Sequence, residues 1–248
     1  MDVRKRIQNH LHKLKHLMDR NIIISMGENC LADDILRRYD LKSFSSPFSS
    51  GRSNAEYILD FEKEDYVDFL NPDYLKYGSF NEKKVARNIK YVATQNYYHD
   101  SCSHGMEFTH HDVISDPSLK ETIARRYERL QKLSKRHIVF LYHNRYCEKT
   151  DLGLLVSCFE EIKHIYENRK NAVQIFIFAQ RLVATKEERR VECKELNGMR
   201  IYTFYTNNIW EGADNEIFFA RCDDDLIRVM VDDIRHYVKK NRFFVGAQ

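Results

Sequence analysis

A cysteine at the junction of two patterns is the first residue in this chain whose position suggests chemistry. A short β-branched run, Ile22, Ile23 and Ile24, is broken by Gly27, Glu28 and Asn29. Cys30 follows, and Leu31, Ile35, Leu36 and Tyr39 then recur at near-helical spacing. The pattern predicts a buried strand, a tight turn and a helix with the thiol at its mouth. Free N–H groups in a first helical turn carry partial positive charge, so they favour thiolate and lower a cysteine pKa. The same groups hold phosphate, carboxylate or the oxyanion of a tetrahedral intermediate. The plainer alternative is a buried cysteine acting as a small apolar filler.

A thiol nucleophile needs a base and an orienting partner. His110, His111 and Asp112 offer both, after a short strand expected over Met106–Thr109. His99, Cys102, His104 and His110 are also ligand-capable, but no CxxC or HExxH spacing accompanies them, and no metal is expected. Asp233 and His236 have an acid–base spacing that an amphipathic helix also produces on a solvated face. Neither GxGxxG nor GxxxxGK[ST] is present, so nicotinamide nucleotides and ATP are unsupported. Arg125, Arg126 and Arg129 suit a phosphate or carboxylate clamp, or salt bridges to Glu121 and Glu128. Arg145, just past a predicted strand, is the better anion contact because strand ends face the cleft.

Several elements must position these groups. Buried strands are expected at 22–24, Ile138–Tyr142 and Val173–Phe178, with a half-buried strand at Met199–Tyr205. Helices are expected from Ser53 or Asn54 as far as Leu70, from Asp116 or Ser118 to about residue 135, over Leu152–Tyr166, and from Cys222 or Asp223 to Lys240. Residues 44–53, rich in serine, read as a loop, and 74–98 carry little pattern beyond a weak strand at Tyr91–Ala93. Residues 1–20 form an amphipathic stripe of Val3, Ile7, Leu11, Leu14 and Leu17. This is expected to cover the sheet, with a membrane-surface or partner role as the alternative. The expected architecture is three-layer α/β over 21–248, a mainly parallel Rossmann/flavodoxin-like sheet with right-handed crossovers.

The chain has 248 residues, a net charge of +3 and six scattered cysteines. So small and interspersed a charge gives no reason to expect nucleic acid, and the cysteines read as reduced cytoplasmic thiols. Neither a signal peptide nor a membrane-length apolar run is visible.

Four blocks in order carry a resemblance: SMGENC (25–30), LRRYDLKSFSSPF (36–48), FTHHDV (108–113) and RRYERL (125–130) leading into IVFLYHNR. Together they resemble a bacterial papain-like cysteine peptidase family of poorly defined function. The resemblance implies Cys30 as nucleophile, His111 as base and Asp112 beside it. It departs after Pro-Phe, where the family has Asp-Trp and this chain has Ser49 and Ser50. Papain itself sets its cysteine on a long helix against an antiparallel barrel, unlike the alternating pattern here. The turn also resembles the Gly-Asn-Cys turn of acyltransferases of bacterial surface-polysaccharide synthesis, which implies coenzyme A chemistry although no cofactor is required. The expectation is therefore a Cys30-dependent hydrolase or acyltransferase acting on a small acyl or glycan-derived substrate. Gly27, Glu28, Asn29 and Ser46 would shape its anion-binding turn, and Asn29 would donate to the oxyanion. The competing reading is a non-catalytic module for an anionic or sugar-phosphate ligand.

Overall fold

The apolar runs that read as strands lie side by side. The computed structural model describes residues 21–80, 82–91 and 97–241. The stripe at 1–20 lies outside these residues, as do Val92 and Ala93 of the weak strand. In chain order the elements are β1 (Asn21–Gly27), α1 (Leu31–Arg38), α2 (Ala55–Lys63), β2 (Leu75–Phe80), β3 (Lys83–Asn88) and β4 (Met106–Phe108). They continue with α3 (Pro117–Gln131), β5 (His137–Asn144), α4 (Leu152–Asn168), β6 (Ala172–Leu182), β7 (Arg190–Leu196), β8 (Met199–Thr206), α5 (Asn215–Phe218) and α6 (Asp224–Lys240).

Strands β1, β5, β6 and β8 are parallel neighbours in that order, and β7 closes the far edge antiparallel to β8. Side chains alternate between two cores, as a pleated sheet requires. Ile22, Ile24, Phe140, Tyr142 and Ile175 pack with α2, α3 and α4, whereas Ile23, Val139, Leu141, Phe176 and Phe178 pack with α1 and α6. Each such residue, fully buried, contributes roughly 1.5–3 kcal/mol. This is a mostly parallel sheet between helical layers, as the alternating sequence pattern implies.

Helix starts follow their caps. Asn54 Oδ1 accepts the Tyr57 N–H, and the Asp116 carboxylate accepts those of Ser118 and Leu119 ahead of Pro117. Helix α2 stops at Lys63 rather than running to Leu70. Asp65 and Tyr66 take positive φ, and the hydroxyls of Tyr66 and Tyr166 both donate to buried Glu62 at 2.5 Å. Two elements that the sequence pattern did not show are present. The β2–β3 hairpin joins β4 in a separate three-stranded antiparallel sheet, and β7 turns into β8 through Asn197-Gly198, both at positive φ. The strand at Met106–Phe108 thus belongs to this small sheet and not to the one carrying Cys30.

One glycine decides how the two sheets meet. A Cβ on Gly51 would lie 2.3 Å from the Glu107 carbonyl oxygen, so only glycine lets the serine-rich loop run flush against β4. Arg52 then exchanges two backbone hydrogen bonds with Glu107, at 2.9 and 2.8 Å.

Candidate functional site

The carboxyl ends of β1 and β5 are in register, with Gly27 opposite His143. Beyond them lies a cavity of about 860 Å³. Asn29 and Cys30 enter it from the turn after β1, and Arg145 from the residue after β5. Arg52, Lys83 and His110 come from the serine-rich loop and the small sheet, while His99 comes from the loop before β4. Phe218 and Phe219 reach it from the connection between β8 and α6.

The turn itself is tightly determined. Asn29 is buried, and its Oδ1 accepts the Leu31 N–H at 3.0 Å. Because a backbone N–H is always a donor, that contact identifies the oxygen of the amide. The His143 Nδ1, 2.9 Å from the same oxygen, therefore carries a proton. Burial, and then Arg145, push the His143 pKa down to about 3, so the ring is neutral and donates through Nδ1. This leaves Asn29 Nδ2 as a buried donor with no partner among the described residues. An unmade hydrogen bond of this kind costs about 1–3 kcal/mol.

Beneath the turn, the fully buried Glu28 accepts from the Tyr142 hydroxyl at 2.7 Å and from the Arg145 N–H at 2.8 Å. Burial pushes its pKa up to about 8, against the lowering effect of those two bonds. Its carbonyl oxygen receives the Cys102 thiol at 3.3 Å. Glu28 therefore fixes the backbone entering Arg145 rather than touching anything in the cavity. Gly27 is likewise internal, its carbonyl accepting from Ser53 Oγ at 2.6 Å.

Cys30 occupies the N-cap of α1, and its carbonyl accepts the Asp34 N–H. The expected depression of its pKa does not hold. Burial raises it first, and Asp33 and Asp34 add to this, while its own N–H and Arg52 pull the other way. The environment thus favours the thiol over the thiolate.

Of the candidate bases, His111 is engaged by Arg126 and is not among the residues lining the cavity. Its Nε2 lies 3.2 Å from Arg126, which also donates to Ser50 Oγ at 3.2 Å, and burial followed by Arg126 pushes the His111 pKa down to about 4. Nor does Asp112 orient it: its carboxylate accepts from Ser115 Oγ at 2.5 Å, from the Ile114 and Ser115 N–H groups and from Tyr77. His99 Nδ1 accepts the Ser101 N–H, which leaves its proton on Nε2, on the side of Glu211. His110, which is exposed, lines the same cavity as Cys30 and His99.

Ser46, expected at the substrate, is fully buried and stitches the loop to β1 by donating to the Ser25 carbonyl at 2.7 Å. Ser49 hydrogen-bonds Ser25 Oγ and the Ser46 N–H. The remaining alternatives also resolve into structure. Asp233 pairs with Arg200 and Tyr202, Arg125 pairs with Glu121, and Arg129 lies over Phe44. His104 faces Asp100 at 3.3 Å while Cys102 is buried against Glu28, so the histidine-rich stretch does not gather. No group of three metal-ligating side chains comes together among the described residues. Arg52, Lys83 and the two phenylalanines were missed because they lie far from Cys30 in sequence and belong to no motif.

The profile of one protein family, described as "Putative papain-like cysteine peptidase", matches residues 21–185, about two thirds of the chain. The chain belongs to that family. In this papain-like family member the cysteine of the Ser-Met-Gly-Glu-Asn-Cys block sits at the end of a parallel strand, not on a helix packed against a barrel. No curated protein and no solved structure matches the chain. No described helix is long and apolar enough to cross a membrane.

Proposed function

We propose that this protein is a cysteine-dependent acyl hydrolase or acyltransferase in which Cys30 attacks a carbonyl carbon. The observation that carries this reading is the unpartnered Asn29 Nδ2, next in sequence to the thiol and on the same cavity wall. An idle, oriented donor beside a nucleophile fits an oxyanion that exists only during reaction. His110 takes the Cys30 proton as the S–C bond forms, and the carbonyl electrons move onto oxygen, where Asn29 and the Cys30 N–H receive them. Collapse expels the leaving group, which takes the proton from His110 and leaves a thioester on Cys30. Water hydrolyses that thioester, or an acceptor hydroxyl or amine takes the acyl group. A glycan hydroxyl as acceptor and coenzyme A as acyl carrier both suit this second half.

The test is to offer the full chain acyl esters and acyl thioesters and weigh the Cys30 peptide by mass spectrometry. An acyl mass on Cys30, absent from Cys30→Ser and slow to form in His110→Gln but not in His111→Gln, is expected. Acylation spread evenly over the other thiols would end the proposal. The raised thiol pKa favours a second reading, a module that binds an anionic ligand without chemistry. That reading expects no acyl mass with any donor.

A further inference from the structure

One hydroxyl on the cavity wall already has a base in hydrogen-bond contact. Ser101 lines the cavity together with Asn29, Cys30, His99 and Arg145. Its Oγ lies 2.8 Å from His99 Nδ1 and receives the Arg145 guanidinium at 2.9 Å. The ring settles which atom donates. Nδ1 accepts the Ser101 N–H at 3.1 Å, so it carries no proton, and the proton between Nδ1 and Oγ belongs to the hydroxyl. The other neighbour of Oγ is the Cys102 sulfur at 3.6 Å, a weak acceptor whose own proton goes to the Glu28 carbonyl. On the far side of the ring, Nε2–H faces the Glu211 carboxylate at 3.7 Å, and that carboxylate also takes Arg145 at 2.9 Å. Burial and then Arg145 lower the His99 pKa, against Glu211 and Asp100, so the resting ring is neutral and able to take a proton.

A hydroxyl on an imidazole that faces a carboxylate is the arrangement that activates an alcohol for attack. Local geometry accounts for only part of it. His99 caps the short turn Asp100–Cys102, which explains its contact with the Ser101 N–H but not the one with Oγ, and Arg145 arrives from beyond the end of β5. We propose that Ser101 is a second nucleophile of the cavity, an esterase-type serine with His99 as its base, which takes an acyl group from a carboxylic ester. Oγ bonds to the carbonyl carbon as its proton passes to Nδ1, and the carbonyl electrons move onto oxygen. The Arg145 guanidinium beside Oγ stabilises that charge. The Ser101 N–H loses its acceptor once Nδ1 is protonated, which frees it for the same oxyanion. Glu211 balances the imidazolium meanwhile. The C–O bond to the leaving alcohol then breaks, the alcohol takes the proton from Nδ1, and the acyl group stays on Ser101 until water removes it with His99 again as base.

The probe is a fluorophosphonate, which forms an O–P bond as its P–F bond breaks, with fluoride leaving and the serine proton passing through His99 to solvent. The full chain is treated and adducts are weighed peptide by peptide. Ser157, exposed on α4 and donating to the Leu154 carbonyl, serves as the unactivated serine. Ser101 is expected to label about 10²-fold faster than Ser157, a gain within reach of one positioned base. His99→Asn keeps a side-chain acceptor for the Ser101 N–H, and with it the cap, but removes the base. It should slow Ser101 by about 10²-fold at an unchanged urea midpoint. A wild-type Ser101 rate no greater than that of Ser157 overturns the proposal, and this comparison needs no variant. Labelling of Ser101 as fast in folded His99→Asn as in the wild type overturns it too. An acyl mass on Cys30 with no phosphonate on Ser101 would sink the serine and spare the thiol. Phosphonate on Ser101 with no acyl mass on Cys30 would do the reverse.

Discussion

The two walls of the cavity are built on opposite principles. On the main-sheet side, Glu28, Asn29 and His143 are buried, mutually hydrogen-bonded and fixed to strand ends. On the small-sheet side, Arg52, Lys83 and His110 stand on a loop, a hairpin and a turn, and two of the three are exposed. A fixed wall suits an interaction that must be in place before charge develops. An open, cationic wall suits recognition of a molecule arriving from solvent.

Breaking the fixed wall should cost rate. Asn29→Ala is expected to lower kcat for acyl-enzyme formation by about 10²–10³-fold with little change in KM, the size usual for one oxyanion donor. A loss confined to KM would move Asn29 to ground-state binding. Between the walls, Gly51→Ala should destabilise the fold by roughly 2–4 kcal/mol in urea unfolding, because a new methyl group must displace the Glu107 carbonyl. An unchanged midpoint would mean that the loop can lift away from β4 freely.

A smaller effect separates the buried acid from the chemistry. Glu28 has its pKa raised to about 8, so the folded chain binds a proton that the unfolded chain releases near 4.5. Stability from this group is full below pH 4.5 and declines as pH rises towards 8. Glu28→Gln should flatten that decline, leaving the variant about 1–3 kcal/mol better off at pH 8 relative to acid pH. Parallel profiles for the two proteins would contradict the assignment. The smallest effect is expected at Asp112, which holds its own turn. Asp112→Asn should leave acyl-enzyme formation within about twofold of wild type, whereas a tautomer-fixing partner would cost orders of magnitude.

Legibility follows the same division. The fixed wall could be read from sequence because Ile22–Ile24 and Ile138–Tyr142 are unmistakable buried strands, and Asn29, Cys30 and Arg145 come directly after strand ends. The open wall could not. The hairpin 75–88 mixes lysine, glycine and serine with few apolar positions, so its periodicity is weak, although it is a real antiparallel pair. Strand β7 is mostly charged, and its one clear signal was the Asn197-Gly198 dipeptide, the pair that a tight hairpin turn favours. Sequence offered both His110 and His111, and the turn after Phe108 sets His110 on the cavity wall and His111 against Arg126. Ser46 looked like a ligand because serine at a loop is ambiguous, and only burial shows it serving β1.

That serine-rich loop has a further effect on how the molecule behaves among its neighbours. Strand β1 ends the sheet, but Ser43 pairs with the backbone of Ile23 in both directions and Ser46 occupies the Ser25 carbonyl. Much of this edge is thus already engaged, which leaves a foreign strand a broken ladder to join beside the thiol. The opposite rim, β7, alternates Arg190, Glu192 and Lys194, charges that discourage stacking. Among the described residues the sheet is thus covered at one border and charged at the other.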